Sequence, residues 1–257
     1  MKKIIIILVI LAIAGCAGTF AKQRKISSPS YQLAMEKLSQ NDMQGALVEL
    51  KKGQKANPAD PEIYYGYALT YRQWDKPAEA IPYVDKAIEY AGNLEYDHPG
   101  MKSEAYNLKG DLLAKLNKNE EALKYFKKAL DDDLYKTPEN TLYNMALVYI
   151  TMGKLTEAKA SLSKAVGIRP DLTPAWDALG VVYSRTGDNA SAVTALNRAL
   201  ELYPDYIEAH WDIAQVYIET GNTEEARKHL LDIIRLDKTG GFSARASAKL
   251  AEIEGLQ

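Results

Sequence analysis

From Thr173 to Tyr206 the chain reads TPAWDALGVVYSRTGDNASAVTALNRALELYPDY, and its apolar residues fall at two sets of helical spacings. Trp176, Leu179, Gly180 and Tyr183 mark one face of a first helix, and Ala192, Leu196 and Ala199 mark one face of a second. Shifted by 34 residues, the pattern returns. Gly180 becomes Ala214 downstream and Ala146 upstream, Tyr183 becomes Tyr217 and Tyr149, and Ala192 becomes Ala226 and Ala158. This periodicity predicts six helix pairs, at 27–60, 61–94, 103–136, 139–172, 173–206 and 207–240. Eight extra residues around GNLEYDHP separate the second pair from the third and read as a protruding loop, and two near Lys136 and Thr137 precede the fourth. The closing stretch, 241–257, places Phe242, Ala246, Leu250 and Ile253 at helical spacing, as expected of a helix that caps the apolar end of a stack.

The matched positions have separate physical roles. Gly180, Ala146 and Ala214 are small where a first helix must approach its partner, and Ala192 and Ala199 are small on the second. Gly153, Gly187 and Gly221 stand where the first helix ends, a place favouring positive φ. The earlier pairs have Asn41, Asp75 and Asn117 there, residue types that tolerate the same region. Pro58, Pro170 and Pro204 follow the second helix and stop it, and Pro82, inside one, predicts a kink. Paired amphipathic helices at this period resemble the tetratricopeptide repeat, TPR. The resemblance implies an all-α, right-handed superhelical solenoid of about six repeats with a C-terminal capping helix.

The first segment, MKKIIIILVILAIAGC, has a different pattern. Two lysines precede an 11-residue apolar run, Ile4 to Ala14. A bilayer takes about 20 residues to cross, so the layout fits a signal peptide at 1–15 better than a membrane span. Its end, Ile13-Ala14-Gly15-Cys16, resembles a bacterial lipobox, which implies cleavage before Cys16 and lipidation of that cysteine. A plain secretory signal with an incidental cysteine is the alternative. Ala17 rather than Asp follows, which by the sorting rule of enterobacterial lipoproteins implies an outer-membrane passenger facing the periplasm. Residues 16–26 then read as the lipidated N-terminus and a tether, whose Lys22, Arg24 and Lys25 either touch acidic head groups or are simply solvated.

Composition changes this picture little. The 257 residues are 47% hydrophobic and 26% charged, which is ordinary for a globular chain, and a net charge of −2 shows no nucleic-acid footprint. One cysteine excludes an internal disulfide. The chain has no P-loop, zincin or CxxC motif, so no cofactor or metal is implied. His98, His210 and His229 lack metal-ligand spacing and read as surface or packing residues. Ser161 to Lys164 matches S-x-x-K and Lys238 to Gly240 matches K-T-G, but no S-D-N accompanies them, so a hydrolase is disfavoured. The function is expected to lie in surfaces and not in a reaction.

In TPR proteins the first helix of each repeat lines a concave groove. The corresponding positions here are Tyr31 and Met35 in repeat one, Tyr65, Leu69 and Arg72 in repeat two, and Asn107 and Asp111 in repeat three. Repeat four supplies Asn140, Tyr143, Leu147 and Ile150, repeat five Asp177, Val181 and Arg185, and repeat six Trp211 and Gln215. The apolar ones either mark a partner site or pack on the preceding repeat. A lipobox, a short tether and six repeats with a cap together resemble the PilF/PilW/Tgl family of type IV pilus pilotins. The segment YKTPENTLYNMALVYITMGKLTEA also looks like that family's central repeat. The resemblance implies a lipoprotein that binds secretin subunits and holds them at the outer membrane. A general envelope scaffold, in polysaccharide export or outer-membrane protein assembly, is the competing reading. Cys16→Ser is predicted to leave an unlipidated protein that no longer fractionates with the outer membrane. Mass spectrometry of the wild type checks the premise, because an unmodified mature terminus contradicts it.

Overall fold

Two positions in every repeat decide how closely its helices approach. The first is occupied by Ala34, Ala68, Gly110, Ala146, Gly180 and Ala214, all buried. The second is occupied by Ala46, Ala80, Ala122, Ala158, Ala192 and Ala226, all fully buried. In the computed structural model, which describes residues 29–92, 100–238 and 240–255, these positions sit where the two helices of a repeat cross. A Cβ added to Gly180 would lie 2.5 Å from Leu196 Cγ, and one added to Gly110 would lie 2.5 Å from Phe126 Cε1. Both distances are inside van der Waals contact, so these backbones meet only because the side chain is absent.

Thirteen helices lie among the described residues. They are α1 (29–39), α2 (Met43–Ala56), α3 (Pro61–Gln73), α4 (Pro77–Ala91), α5 (Met101–Lys115) and α6 (Asn119–Leu130). Then come α7 (Pro138–Thr151), α8 (Leu155–Ile168), α9 (Thr173–Arg185), α10 (Asn189–Leu202), α11 (Ile207–Glu219), α12 (Thr223–Leu236) and α13 (Gly241–Ile253). The helix α4 runs without a break through the exposed Pro82. No helix among the described residues is long and apolar enough to cross a membrane. The signal peptide, Cys16 and the tether lie outside the described residues, as does most of the expected loop, 93–99.

Each first helix ends in the same way. Asn41, Asp75, Asn117, Gly153, Gly187 and Gly221 take φ of 59°, 55°, 59°, 72°, 80° and 77°. The next residue's N–H then reaches back five residues, for example Lys154 to the Tyr149 carbonyl at 2.8 Å and Asp188 to the Tyr183 carbonyl at 3.0 Å. This left-handed turn satisfies carbonyls the helix end would leave open and sends the chain into the second helix.

A second local device joins one repeat to the next. The proline after a second helix offers its carbonyl to a donor six residues on. Tyr64 Oη donates to the Pro58 carbonyl at 2.8 Å, and Trp176 Nε1 donates to that of Pro170 at 2.9 Å. His210 Nε2 lies 2.9 Å from the Pro204 carbonyl, which can only accept, so this nitrogen bears the proton. Three chemically different donors fill one slot, which fixes how the next first helix enters the stack.

The chain divides into two compact units between Thr137 and Pro138. In the first, α3 touches α5; in the second, α7 touches α9, α9 touches α11 and α11 touches α13. No even-numbered helix reaches the next even one among the described residues. In each unit the odd-numbered helices therefore line the inside of the curve. The helix α13 closes the second unit, burying Ala246 with Ala214, Leu230 and Ile233 while Phe242, Leu250 and Ile253 pack around them.

Gly180→Leu is predicted to overpack the α9–α10 crossing at a cost of about 1–3 kcal/mol. Hydrogen exchange checks this: protection should fall in α9, α10 and α11. Unchanged protection there would mean the crossing has room to spare.

Candidate partner-binding faces

The inner face of the first unit is largely occupied by its own contacts. Tyr31 and Met35 on α1 are partly buried against the core of Ala34, Leu50, Ile63 and Tyr67, and both lie beside Gly66 on α3. Tyr65 and Leu69 on α3 pack against the core formed by Tyr64, Ala68, Val84 and Leu108. Burial, and then the nearby Glu104 and Tyr31, push the Tyr65 phenol well above its ordinary value. Arg72 pairs through Nε with Asp111 Oδ2, linking α3 to α5 across the exposed rim. Asn107 is half-buried on α5.

The inner face of the second unit is arranged differently. Tyr143, Leu147 and Ile150 follow one another along α7, and Leu147 is 39% exposed. Tyr143 and Ile150 are half-buried. Burial raises the Tyr143 phenol, with a further contribution from Asp177 on α9. Asn140 accepts from Arg169 Nη2 at 2.6 Å, and the same guanidinium lies 3.3 Å from the buried Glu139. Trp211 faces the cap, edge-on to Phe242 at 6.4 Å and beneath the Arg245 guanidinium at 4.2 Å. A cleft of about 190 Å³ opens between α9 and α11, lined in part by Val181, Ser184, Arg185, Asp212, Gln215 and Glu219.

Two polar atoms on this face are buried without a hydrogen-bond partner among the described residues: Asp177 Oδ1 and Gln215 Nε2. Burial, reinforced by Asp212 and Glu208, pushes the Asp177 carboxyl up to about 7. Burial also raises Asp212, to about 6, although Arg185 and Arg245 oppose the shift. No cation among the described residues offsets the shift of Asp177.

Two residues that the sequence did not connect meet on the same unit. His210 Nδ1 lies 2.9 Å from His229 Nδ1, nineteen positions away. His210 has its proton on Nε2, so its Nδ1 accepts from His229. Burial, and then His210, hold His229 down at about 4, so His229 is neutral at pH 7. Ser161, the serine of the S-x-x-K match, donates to the Glu157 carbonyl of its own helix at 2.9 Å. No group of three or more His, Cys, Asp or Glu side chains able to hold a metal occurs among the described residues.

The raised Asp177 gives a signed pH dependence. Its folded value of about 7 lies above the unfolded value of about 3.9, so the folded state holds the proton more tightly. The stability this group contributes is full below about pH 4 and is lost as pH rises through about 7. Asp177→Asn, which keeps the shape without the charge, is therefore predicted to melt above the wild type at pH 8, with a smaller gap at pH 5. A gain of about 1 kcal/mol corresponds to roughly 2–4 °C. Thermal melts at the two pH values check this, and a lower melting point at pH 8 would mean the carboxylate has a stabilising partner.

Comparison with known proteins agrees with the fold. The tetratricopeptide repeat description matches residues 60–133 and 138–205 in one form and 185–253 in another. No curated protein sequence matches the chain. Among solved structures, Pseudomonas aeruginosa PilF is similar at a TM-score of 0.75 and 16% identity, over 89% of this chain and 99% of that one. PilW, a widely conserved type IV pilus biogenesis factor, is similar at 0.75 and 20% identity, over 84% and 96%. YrrB, a TPR protein with an unusual peptide-binding site, is similar at 0.56 and 20% identity, over 77% and 97%. With a repeat-family match over more than half of its length, on helix pairs that cross and turn alike, the chain belongs to the tetratricopeptide repeat family.

Proposed function

We propose that this TPR protein-interaction scaffold acts as a pilotin. It is anchored by a lipid on Cys16 at the outer membrane, faces the periplasm, and helps a secretin reach and assemble in that membrane for type IV pilus biogenesis. The observation that carries this reading is the match in extent: nearly the whole of PilF and PilW is covered by the repeats of this chain. A lipobox at Cys16 ahead of those repeats supports it from the sequence.

The mechanism is mass action and not chemistry. A TPR scaffold presents surfaces, and the lipid delivers whatever those surfaces hold. On the inner face of the second unit, Leu147 offers exposed apolar area beside Tyr143 and Ile150. An amphipathic segment of a secretin chain before assembly can bury its apolar residues there, gaining roughly 25 cal/mol per Å² removed from water. The same surfaces would serve a general envelope scaffold, in polysaccharide export or outer-membrane protein assembly. Identification of the captured protein separates the two readings.

Crosslinking in cells with the full-length protein, followed by identification of the captured protein, is the test. A secretin is expected. Capture of an export or outer-membrane assembly component instead would overturn the pilotin reading. Leu147→Asp is predicted to keep the helical circular dichroism of the wild type and to lower secretin capture at least about tenfold, because a carboxylate would be desolvated without a pair. Normal folding with normal capture would remove repeat four from the binding face.

A further inference from the structure

The inner face of repeats four to six holds more carboxylate than its own cations balance. Asp177 on α9 and Asp212 on α11 face the same region, and Glu208 acts on both. The Oδ1 of Asp177 is buried and unpartnered, and so is the Nε2 of Gln215, which lines the adjoining cleft. A buried carboxylate without a partner is destabilising and is ordinarily matched by a cation or by hydrogen-bond donors. Arg185 and Arg245 act on Asp212 but not on Asp177, and Arg245 is also seated over the Trp211 ring. Within the unit a proton supplies that charge up to about pH 7, and a cation from a partner would take the proton's place.

The surroundings narrow the source. Carboxylates repel phosphate, which disfavours nucleic acid and acidic lipid head groups at this face. Tyr143 lies near Asp177, and the exposed Leu147 is one turn further along α7. Apolar surface next to an unmatched carboxylate suits a long cationic side chain, whose stem packs on apolar groups while its head meets the charge. Gln215 Nε2 supplies a donor with no acceptor of its own, which suits a main-chain carbonyl.

We propose that the inner face of repeats four to six receives a protein segment presenting one arginine or lysine flanked by apolar side chains, with the cation seated between Asp177 and Asp212. The proposal rests on the reading that a partner enters this face, but not on that partner being a secretin. Its elements divide the work: apolar flanks bury area against α7, and the cation fixes the register of the segment.

The test uses the full-length protein in detergent and three labelled amphipathic peptides. The peptides share leucines at helical spacing and differ at one central position, which is Arg, Gln or Glu. Fluorescence anisotropy is expected to show the Arg peptide binding at least about tenfold more tightly than the Gln peptide, with the Glu peptide weakest. In an Asp177→Asn, Asp212→Asn double variant the Arg preference should collapse to about one, while the Gln peptide binds as before. Circular dichroism of that variant confirms that the face is still folded. Equal binding of Arg and Gln peptides to the wild type, a preference for Glu, no binding by any of the three, or an Arg preference that survives in the double variant would each overturn the proposal. Leu147→Asp separates this failure from that of the broader reading. If it abolishes binding of all three peptides while the Arg preference is absent, the face is a binding face and only the cation seat is lost. If it changes nothing, a bound peptide lies elsewhere, and both the face and the seat fall.

Discussion

The structure depends on one close approach, the crossing of the two helices inside each repeat. At that crossing a glycine or alanine on the first helix faces an alanine on the second. The space the missing side chains leave is filled from one turn further along the second helix, by Leu50, Val84, Phe126, Leu162, Leu196 and Leu230, all fully buried. The fit is compensatory. Phe126, the largest of these residues, packs against Gly110, which has no Cβ. An isolated pair closed in this way still exposes apolar flanks on both sides, so stability is shared between neighbours, as in other repeat stacks. The left-handed turn and the proline latch then set the angles at which the pairs are presented to one another.

Because that constraint is local and recurs, the fold was legible in the sequence. The period of 34 located each crossing, and the residues expected to tolerate positive φ all adopt it. Asn41, Asp75 and Asn117 show why composition alone is a weak guide: the turn needs a conformation, and glycine is only one residue type able to supply it. Pro82 stands inside α4 and does not end it. Its missing donor affects one bond near the start of α4, and the exposed ring leaves the helix unbroken.

The candidate site was legible only in outline. Repeat register proposes which residues turn inward, because that depends on helix phase. It did not tell what lies opposite each of them. Arg72 is committed to Asp111 and Trp211 to the cap, contacts set by side chains 39 and 31 positions away. The His210–His229 contact has the same origin, since two helices must pack before the rings meet. One signal was available in the chain. A donor six residues after the proline that ends a repeat recurs as Tyr64, Trp176 and His210, and it would have assigned His210 to packing through Pro204.

The two inner faces also differ in how far they satisfy themselves. In the first unit the rim cation Arg72 is neutralised by Asp111, and Lys109 on α5 by Asp85 on α4 at 2.6 Å, so those charges are already matched. In the second, one carboxylate oxygen, Asp177 Oδ1, is buried without a hydrogen-bond partner among the described residues. Replacing such a group by a neutral isostere should stabilise the fold, so its presence is not explained by folding. Chains whose local choices otherwise agree with their fold tend to break that agreement where a surface has work to do. The half-buried Asp177, with its unpartnered Oδ1, is such a break, and it lies on the curved face where a TPR stack offers the most area to a partner.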